Sequence, residues 1–502
     1  MKRRQLLGTT VTVSAVLLGG CSHPRNSLAN VTQPDPKALP IPKVMLVDEN
    51  SPGGLTAIQA THSFSPEHQS PSLGFDQSYL GPVIRVNRKQ TARINVTNRT
   101  NSPITTHWHG LHIDGQFDGG PHSPVMPGKT WPAVLRIDQP VATLWYHSHI
   151  HGKTAEQVYT GLAGMMIIDD PDAPPTGLPE TYGIDDLPLI IQDRAFAGDG
   201  TLYYSKRGPN LMHGFRGDQI VVNGAIRPIA KVPGGLVRLR LLNASNARIY
   251  TFSFGDERSF HQVASDAGLL TKPIQMQTIQ LAPAERAEII VDFSDGGAVR
   301  LLSTGDANSP MRGMMQGRMM GRDTRETGGT RFEVMSFTVE RNRTAAITEL
   351  PKQIDGAPAL PDWGTPTRRR EFALNMGMMG GRMGRGRGGM TGMGVMSING
   401  ESMAMDRINF QTRLGETELW RITSDQMAHP FHVHGTSFQI ISINGKPQKF
   451  SQTGLKDVVL VDAEAEILVR FTRKASKAFP YMYHCHILEH EDAGMMGQFT
   501  VI

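Results

Sequence analysis

The sequence predicts an all-β protein built from three related β-sandwich domains. Short alternating apolar runs separated by Gly, Pro and Asn dominate its 502 residues, and long stretches with a helical period are few. The 53 glycines and 33 prolines favour many turns. In addition, one pattern of strands recurs three times along the chain, which indicates a repeated domain.

The repeated unit is a strand, a turn and an alternating strand that leads into one further strand. It occupies residues 81–110, 224–254 and 400–435, and its alternating strand reads ARINVTN, VRLRLLN and ELWRITS in turn. Proline-rich joints at 169–188 and 350–370 separate the copies. We therefore place the three domains at 40–170, 186–345 and 371–502, in line with the number that the chain length suggests.

The first 29 residues predict an export signal. The segment begins with the basic pair Arg3-Arg4, continues with a short apolar core and ends in small residues. The arginine pair suggests the twin-arginine route, which exports folded proteins. LGGC, ending at Cys21, resembles a lipoprotein cleavage box and would make Cys21 a lipid anchor, whereas cleavage after Ala29 would release a soluble protein. Both alternatives place the mature chain in the periplasm or cell envelope.

Bulk composition excludes several classes of protein. An apolar content of 39% and a charged content of 19% fit a soluble globular protein, with no later stretch long enough to span a membrane. The net charge of +5 is mild and spread out, so a nucleic-acid partner is not needed to explain it. Of the two cysteines, one lies in the signal, which excludes a disulfide framework. Cys485 is therefore a core thiol, a nucleophile or a metal ligand.

Histidines are concentrated in four short clusters of the first and third domains. In a strand, residues i and i+2 point to the same face, so each H-x-H presents two imidazoles side by side. Ten of the 18 histidines lie in these clusters or at His490, whereas the second domain carries Asn246, Arg248 and Tyr250 at the corresponding place. The clusters therefore indicate metal binding by the first and third domains, and we expect the second domain to be structural. The clusters are HWH (107–109), HSH (147–149), HPFHVH (429–434) and HCH (484–486).

Cys485 lies between two of these histidines and is followed by His490 and Met495 at steps of five residues. Histidine, thiolate and thioether together are the ligands of a copper site with two histidines, one cysteine and a weak axial methionine. On a strand, Cys485 faces away from His484 and His486. The consecutive residues His484, Cys485 and His486 would then connect a metal site bound by the thiol with a metal site bound by the two histidines.

HWHG, WYHSH, HPFHVHG and HCHILEHEDAGMM resemble the four copper-binding motifs of the multicopper oxidase family, in family order and spacing. The resemblance covers roughly residues 40–502. It implies three cupredoxin-like Greek-key β-sandwich domains and four copper ions held by the first and third of them. A one-electron donor would be oxidised at one end of the centre, and dioxygen would be reduced to water at the other.

The resemblance also implies a role for each residue of the motifs. Asp118 and Glu491 match the acidic positions of the family that relay protons to oxygen. The implied ligands are His429, Cys485, His490 and axial Met495 for the type 1 (blue) copper, His107 and His432 for the type 2 copper, and His109, His147, His149, His434, His484 and His486 for the type 3 pair.

Twelve of the 26 methionines fall in residues 311–321 and 375–396. Such sulfur atoms are either adaptable apolar filler or a thioether relay for Cu(I), a soft ion. The second segment sits where copper-efflux cuprous oxidases carry a methionine-rich insert, and the resemblance implies a substrate Cu(I) bound by Asp425, Met427 and Met376. A further aspartate of that family is replaced here by glycine, and the insert is rich in arginine, which disfavours a bound cation.

Three functions remain open from the sequence, and for each we expect a monomer. The first is a cuprous oxidase that converts Cu(I) to Cu(II) and protects the cell envelope. The second is a laccase-like oxidase of phenolic or other organic donors. The third is a non-enzymatic copper-binding or scaffold protein of the same fold, which the complete set of ten histidines, one cysteine and one methionine argues against.

Overall fold

Three two-layered β-sandwiches follow one another along the computed structural model, which describes residues 37–65, 68–304, 331–377, 396–424 and 426–502. The predicted all-β class is confirmed, while the domain boundaries stay predictions. The export signal with Cys21, the segment 311–321, most of the insert 375–396 and Asp425 lie outside the described residues. Within the described residues, no helix is long and apolar enough to cross a membrane.

The first sandwich packs a five-stranded sheet, ordered β1-β4-β9-β8-β6, on a four-stranded sheet, ordered β3-β2-β5-β7. Alternation in ARINVTN buries Ala92, Ile94 and Val96 between the layers, as the period of two predicts. A 3-10 turn covers Gly115–Phe117, and helix α1 covers Thr154–Thr160. The strands are β1 (Val44–Val47), β2 (Gly53–Ser65), β3 (His68–Phe75), β4 (Val83–Asn87), β5 (Thr91–Asn98), β6 (His107–His109), β7 (Thr130–Arg136), β8 (Ala142–His147) and β9 (Ala163–Asp169).

The second sandwich has an eight-stranded and a five-stranded sheet. The first runs β13-β12-β10-β15-β20-β17-β18 with β11 beside β10, and the second runs β14-β22-β21-β16-β19. Helix α2 covers Pro209–His213. The strands are β10 (Asp186–Phe196), β11 (Leu202–Tyr203), β12 (Gln219–Val222), β13 (Ala225–Ile226), β14 (Ile229–Gly234), β15 (Leu236–Asn243), β16 (Tyr250–Phe254), β17 (Phe260–Ser265), β18 (Gly268–Met276), β19 (Ile279–Leu281), β20 (Arg286–Asp292), β21 (Val299–Thr304) and β22 (Arg331–Thr344).

The third sandwich packs a six-stranded sheet, β24-β23-β26-β31-β28-β29, on a five-stranded sheet, β25-β33-β32-β27-β30. Two short helices accompany it, α3 (Phe450–Thr453) and α4 (Leu488–Asp492). The strands are β23 (Arg368–Met376), β24 (Met396–Ile398), β25 (Phe410–Thr412), β26 (Thr417–Ser424), β27 (His429–Val433), β28 (Phe438–Ile443), β29 (Lys446–Pro447), β30 (Val458–Val461), β31 (Glu464–Arg470), β32 (Tyr481–Cys485) and β33 (Met496–Val501).

Strand pairing brings the histidine clusters together two by two. β6 and β8 are antiparallel neighbours, with His107 opposite His147. β27 and β32 are antiparallel neighbours in the third sandwich, with His432 opposite His484. Each of the two sandwiches therefore presents two adjacent clusters at one place on its surface.

Candidate metal centre

Eight histidine side chains converge where the first and third sandwiches meet, and each is at most 1% exposed. The two halves interlock, because the ring of His107 stacks on that of His434 and the ring of His109 stacks on that of His432. The ring centroids lie 3.8 Å and 3.7 Å apart in these two pairs. The first sandwich supplies His107, His109, His147 and His149, and the third supplies His432, His434, His484 and His486.

Hydrogen bonds to backbone carbonyls define the protonated nitrogen of four of these rings. A carbonyl oxygen only accepts, so each bonded Nδ1 carries the proton and leaves Nε2 as a bare lone pair. The pairs are His107 Nδ1 with Asp118 O at 2.9 Å, His147 Nδ1 with Ser148 O at 2.9 Å, His432 Nδ1 with Asp457 O at 2.8 Å, and His484 Nδ1 with Cys485 O at 3.0 Å.

His434 and His484 show why these lone pairs need a cation. His434 Nδ1 lies 2.7 Å from a carboxylate oxygen of Asp118 and donates to it, so its Nε2 is also bare. The two bare Nε2 atoms lie 3.2 Å apart, and His149 Nε2 is another 3.2 Å from His484 Nε2. Burial lowers the pKa of each of these rings, to about 3 for His484, so protonation does not relieve the contact. A metal ion that accepts these lone pairs does relieve it.

Other imidazole nitrogens of the cluster have no hydrogen-bond partner in the described part of the chain, although they are fully buried. Buried polar atoms are ordinarily paired, and a missing ion is one accepted reason for an exception. The donor set therefore fits a metal cluster bound by imidazole, which suits copper. The atoms are Nε2 of His107, His147 and His432, Nδ1 of His109 and His149, and both ring nitrogens of His486.

A second, smaller site lies in the third sandwich. The ligand atoms His429 Nδ1, Cys485 Sγ and His490 Nδ1 form a triangle with sides of 3.3, 3.8 and 3.3 Å. Bonds of about 2.0–2.3 Å to one central ion produce a triangle of this size. Burial raises the pKa of the Cys485 thiol and lowers the pKa of His429 to about 4. Imidazole is thus already in its ligand form, while the thiol requires the ion to release its proton.

Neighbouring backbone groups orient His490 and Met495. His490 Nε2 donates to the carbonyl of Met212 in α2 at 3.2 Å, which leaves Nδ1 bare and turned to the site. The Met495 amide donates to the carbonyl of His490 at 2.9 Å, and the Cys485 amide donates to the carbonyl of Met495 at 3.1 Å. The Met495 side chain is fully buried in the same core cluster as Cys485.

Cys485 connects the two sites through the chain itself. Its side chain belongs to the apolar core of the third sandwich, whereas His484 and His486 lie in the histidine cluster. The alternation of strand β32 therefore places the thiol and its neighbours on opposite faces, as expected from the sequence.

Both predicted acidic residues contact the histidine cluster. Asp118 is 1% exposed, and its Oδ1 has no partner among the described residues. Glu491 is also 1% exposed, and its two oxygens each lie 3.4 Å from a ring nitrogen, Nδ1 of His149 and Nδ1 of His484. Burial, reinforced by the negative charge of Asp492, raises the pKa of Glu491 well above its usual range, which favours its protonated form.

Two of the three residues predicted to hold a substrate copper lie near the smaller site. Met376 and Met427 are 5% and 6% exposed and belong to the same core cluster as Cys485 and Met495. The amide of Gln426 donates to the carbonyl of Met376 at 3.1 Å, which ties the end of β23 to the chain before His429. The third residue, Asp425, lies outside the described residues.

Sequence reasoning missed three residues that hold the predicted ligand side chains, directly or through another residue. Asp457 accepts a hydrogen bond from His109 Nε2 at 3.1 Å, and Arg286 of the second sandwich holds Asp457. The third is Met212, whose carbonyl fixes His490. No motif marks them, because an isolated aspartate, a strand arginine and a main-chain carbonyl carry no spacing signal.

Comparison with known proteins agrees with this geometry. Residues 57–173 and 376–502 each match a family described as multicopper oxidase. A solved structure of a laccase-like multicopper oxidase, CueO from Ochrobactrum sp., is 38% identical and superposes with a TM-score of 0.82, covering 92% of this chain and 100% of its own. The chain belongs to the multicopper oxidase family. Its three sandwiches are the cupredoxin-like domains of that family.

Curated relatives of this chain include proteins that are named for cell division. The cell division protein FtsP of Dickeya dadantii is 35% identical over 92% of this chain and 91% of its own length. FtsP of Escherichia coli is 34% identical over 100% of this chain and 99% of its own length. A multicopper oxidase of Campylobacter jejuni described as a metallo-oxidase is 26% identical, with a TM-score of 0.76, and covers 94% of this chain and 98% of its own.

Proposed function

We propose that this multicopper oxidase is an active enzyme that holds four copper ions and couples four one-electron oxidations to the reduction of dioxygen to two molecules of water. The observation that carries the proposal is the set of bare, fully buried imidazole lone pairs facing one another at 3.2 Å, next to a triangle of two imidazole nitrogens and a thiol. Unpaired buried polar atoms destabilise a fold, so a scaffold that binds no metal would lose stability through this arrangement without any gain in function.

The proposed ligands are those that the family resemblance implies. His429, Cys485 and His490, together with Met495, would hold the type 1 copper. His107 and His432 would hold the type 2 copper. The type 3 pair would be held by His109, His147, His149, His434, His484 and His486. When bound, the copper ions supply one-electron redox chemistry at the first site and a place for oxygen at the cluster.

The protein's own residues would supply electrons and protons along separate paths. Electrons that enter at the type 1 site have a covalent route through Cys485 to His484 and His486. Four protons are consumed for each dioxygen, and the carboxyl groups of Asp118 and Glu491 both lie beside the cluster, Asp118 at His434 and Glu491 at His149 and His484. A buried carboxylic acid with a raised pKa is suited to donate a proton near neutral pH. Glu491 fits that description best.

For the donor we propose Cu(I), oxidised to Cu(II) for copper tolerance in the cell envelope. The buried thioethers of Met376 and Met427, together with Asp425, would form its site, since soft sulfur ligands select Cu(I). The Campylobacter jejuni relative is itself described as a metallo-oxidase. The organic alternative is supported by the Ochrobactrum relative, described as active on lignin model compounds and lignosulfonate.

A second candidate function follows from the FtsP relatives, which are named for cell division. In that case the chain would act in the envelope at division, with or without turnover. It would still require export, and the predicted signal at 1–29, with its lipid anchor alternative at Cys21, fits either role. The two candidates differ in whether copper and oxygen are consumed.

Oxygen uptake by the fully copper-loaded protein is the deciding experiment. It compares stabilised Cu(I) with a phenolic donor, the latter with and without added Cu(II), and uses a Cys485→Ala variant as the inactive control. Fast uptake on Cu(I), with phenol oxidation slow until Cu(II) is added, is the expected result. Fast phenol oxidation that ignores added Cu(II) would make the enzyme laccase-like. No uptake on any donor with all copper bound would overturn the oxidase proposal and favour the cell-division role.

A further inference from the structure

Arg286 lies at the point where all three sandwiches meet, although the sandwich that carries it has no histidine cluster. Along β20, alternation sends Ala287, Ile289 and Val291 into the core of the second sandwich. Arg286 therefore points the other way, out of that core, and is nevertheless fully buried. Its guanidinium reaches both oxygens of Asp457, with Nη1 to Oδ1 and Nη2 to Oδ2 each at 2.6 Å.

Every N–H of this guanidinium is used. Besides the two bonds to Asp457, Nε donates to the carbonyl of Thr143 at 3.1 Å in the first sandwich. Nη1 donates to Ala284 O at 3.0 Å, and Nη2 donates to Asp266 O at 2.7 Å. Five donors with five acceptors, in a planar group with a fixed fork, leave the arginine a single orientation. Asp457, gripped at both oxygens, is fixed with it.

Asp457 in turn contacts two of the proposed copper ligands from different sandwiches. Its Oδ1 accepts the hydrogen bond from His109 Nε2 at 3.1 Å, which leaves His109 Nδ1 bare. Its backbone carbonyl accepts from His432 Nδ1 at 2.8 Å, which leaves His432 Nε2 bare. The two rings stack at 3.7 Å, so their positions are interdependent. Asp457 thus determines which ring nitrogen carries the proton in His109 of the first sandwich and in His432 of the third.

We propose that Arg286 is a positioning residue of the histidine cluster: by holding Asp457 at both oxygens, it keeps His109 and His432 in the ring orientation that binds copper. The inference rests on the proposed function, because it concerns the affinity of the cluster for copper. It assigns to the second sandwich a part in the metal centre, in addition to its structural role. Removing a residue that hydrogen-bonds to a metal ligand typically lowers the affinity for the metal by about 10–100-fold.

The competing explanation is that Arg286 only stabilises the interface between the sandwiches. Arg240 provides a matched control for this explanation. Arg240 lies on the neighbouring strand β15, is 5% exposed, and pairs through Nε and Nη2 with Asp186 at 2.7 and 2.9 Å. It also donates to Thr143 Oγ1 at 2.8 Å in the first sandwich. Arg240 is therefore a buried arginine that pairs with a carboxylate through two nitrogens at the interface between the first and second sandwiches. Among the described residues, its hydrogen bonds do not include one to Asp457.

The test compares copper affinity in Arg286→Lys, Asp457→Asn and Arg240→Lys with that of the unaltered protein. Lysine keeps the charge but replaces the fork with a single point contact, and asparagine keeps the shape of Asp457 without its charge. Competition with a copper chelator measures the affinity of the cluster, electron paramagnetic resonance counts type 2 copper, and the thiolate absorption reports the type 1 site. Thermal unfolding measures the loss of stability in each variant.

We expect Arg286→Lys and Asp457→Asn to weaken copper binding at the cluster by about 10–100-fold with the type 1 absorption intact. Arg240→Lys should lose comparable stability and keep full cluster affinity. Unchanged cluster affinity in the first two variants would overturn the inference, and so would an equal loss in all three or a parallel loss at the type 1 site. If the unaltered protein bound no copper, the proposed function would fall first, and this inference with it.

Discussion

The Asp118 carboxylate lies 2.7 Å from Nδ1 of His434, so an acidic side chain of the first sandwich orients a proposed copper ligand of the third. Its other oxygen, Oδ1, has no hydrogen-bond partner among the described residues. A buried carboxylate with one oxygen engaged and the other free can both hold a ring and pass a proton.

Replacing Asp118 with alanine should retain copper but lose turnover. The stacking of His107 on His434 and the other histidines still hold the ions, whereas proton delivery at this position disappears. Proton transfer by a positioned side chain contributes about 10²–10⁴-fold, and we expect a loss of that order. Copper content and oxygen uptake on Cu(I) measure the two effects separately. Alanine at the exposed Asp114 is the control, and full activity in Asp118→Ala would remove Asp118 from the mechanism.

Replacing Cys485 with serine should abolish the type 1 site and leave the cluster. A hydroxyl is a hard, neutral ligand and does not replace a thiolate for copper. The strand alternation that separates Cys485 from His484 and His486 means that the cluster loses no ligand. Copper content should fall from four ions to about three, and the visible thiolate band should vanish, with oxygen uptake falling to background. A variant that kept the visible band would place the type 1 site elsewhere.

The sequence was sufficient to predict the fold class and the clustering of the histidines, and the reason is strand geometry. Each H-x-H lies on or beside a strand, where a period of two fixes which side chains share a face, and the same rule separates Cys485 from its neighbours. It could not indicate Arg286, Asp457 or the Met212 carbonyl. Their effect depends on how three sandwiches pack together, and contacts between residues more than a hundred positions apart leave no periodic trace.

Glu489 provides a test of how the second and third sandwiches are joined. It is fully buried in α4, next to His490, and accepts hydrogen bonds from Asn246 Nδ2 at 2.8 Å, Tyr204 OH at 2.9 Å and the Phe215 amide at 3.1 Å. Alanine here leaves buried donors unpaired, each of which costs about 1–3 kcal/mol. We expect Glu489→Ala to lower the free energy of unfolding by about 3–5 kcal/mol in urea titrations.

The matched control for Glu489 is Glu349→Ala, an exposed glutamate for which we expect a change within about 0.5 kcal/mol. Because α4 also carries His490, the type 1 absorption of Glu489→Ala should weaken along with stability. A variant as stable as the unaltered protein would show that the three bonds do not join the sandwiches, and that α4 is held by its apolar contacts instead.

The copper-free protein should lose stability as the pH falls below about 6.5, the ordinary pKa of histidine. Burial lowers the pKa of His429 to about 4 and that of His484 to about 3 in the folded chain. The unfolded chain therefore takes up protons from about pH 6.5 downwards, whereas the folded chain does not. The stability contribution of His429 is fully present above the unfolded pKa and is lost progressively as the pH falls towards about 4.

Each such histidine adds a slope of up to about 1.4 kcal/mol per pH unit, so several together should unfold the copper-free protein well above the pH at which its carboxylates titrate. Urea unfolding of the copper-free chain at a series of pH values measures the slope directly. His429→Asn removes one of the titrating groups and should make the slope shallower by that amount. A copper-free protein whose stability is flat between about pH 6.5 and pH 4 would mean that these rings are protonated in the folded state, and that the bare lone pairs assigned to the metal centre are not there.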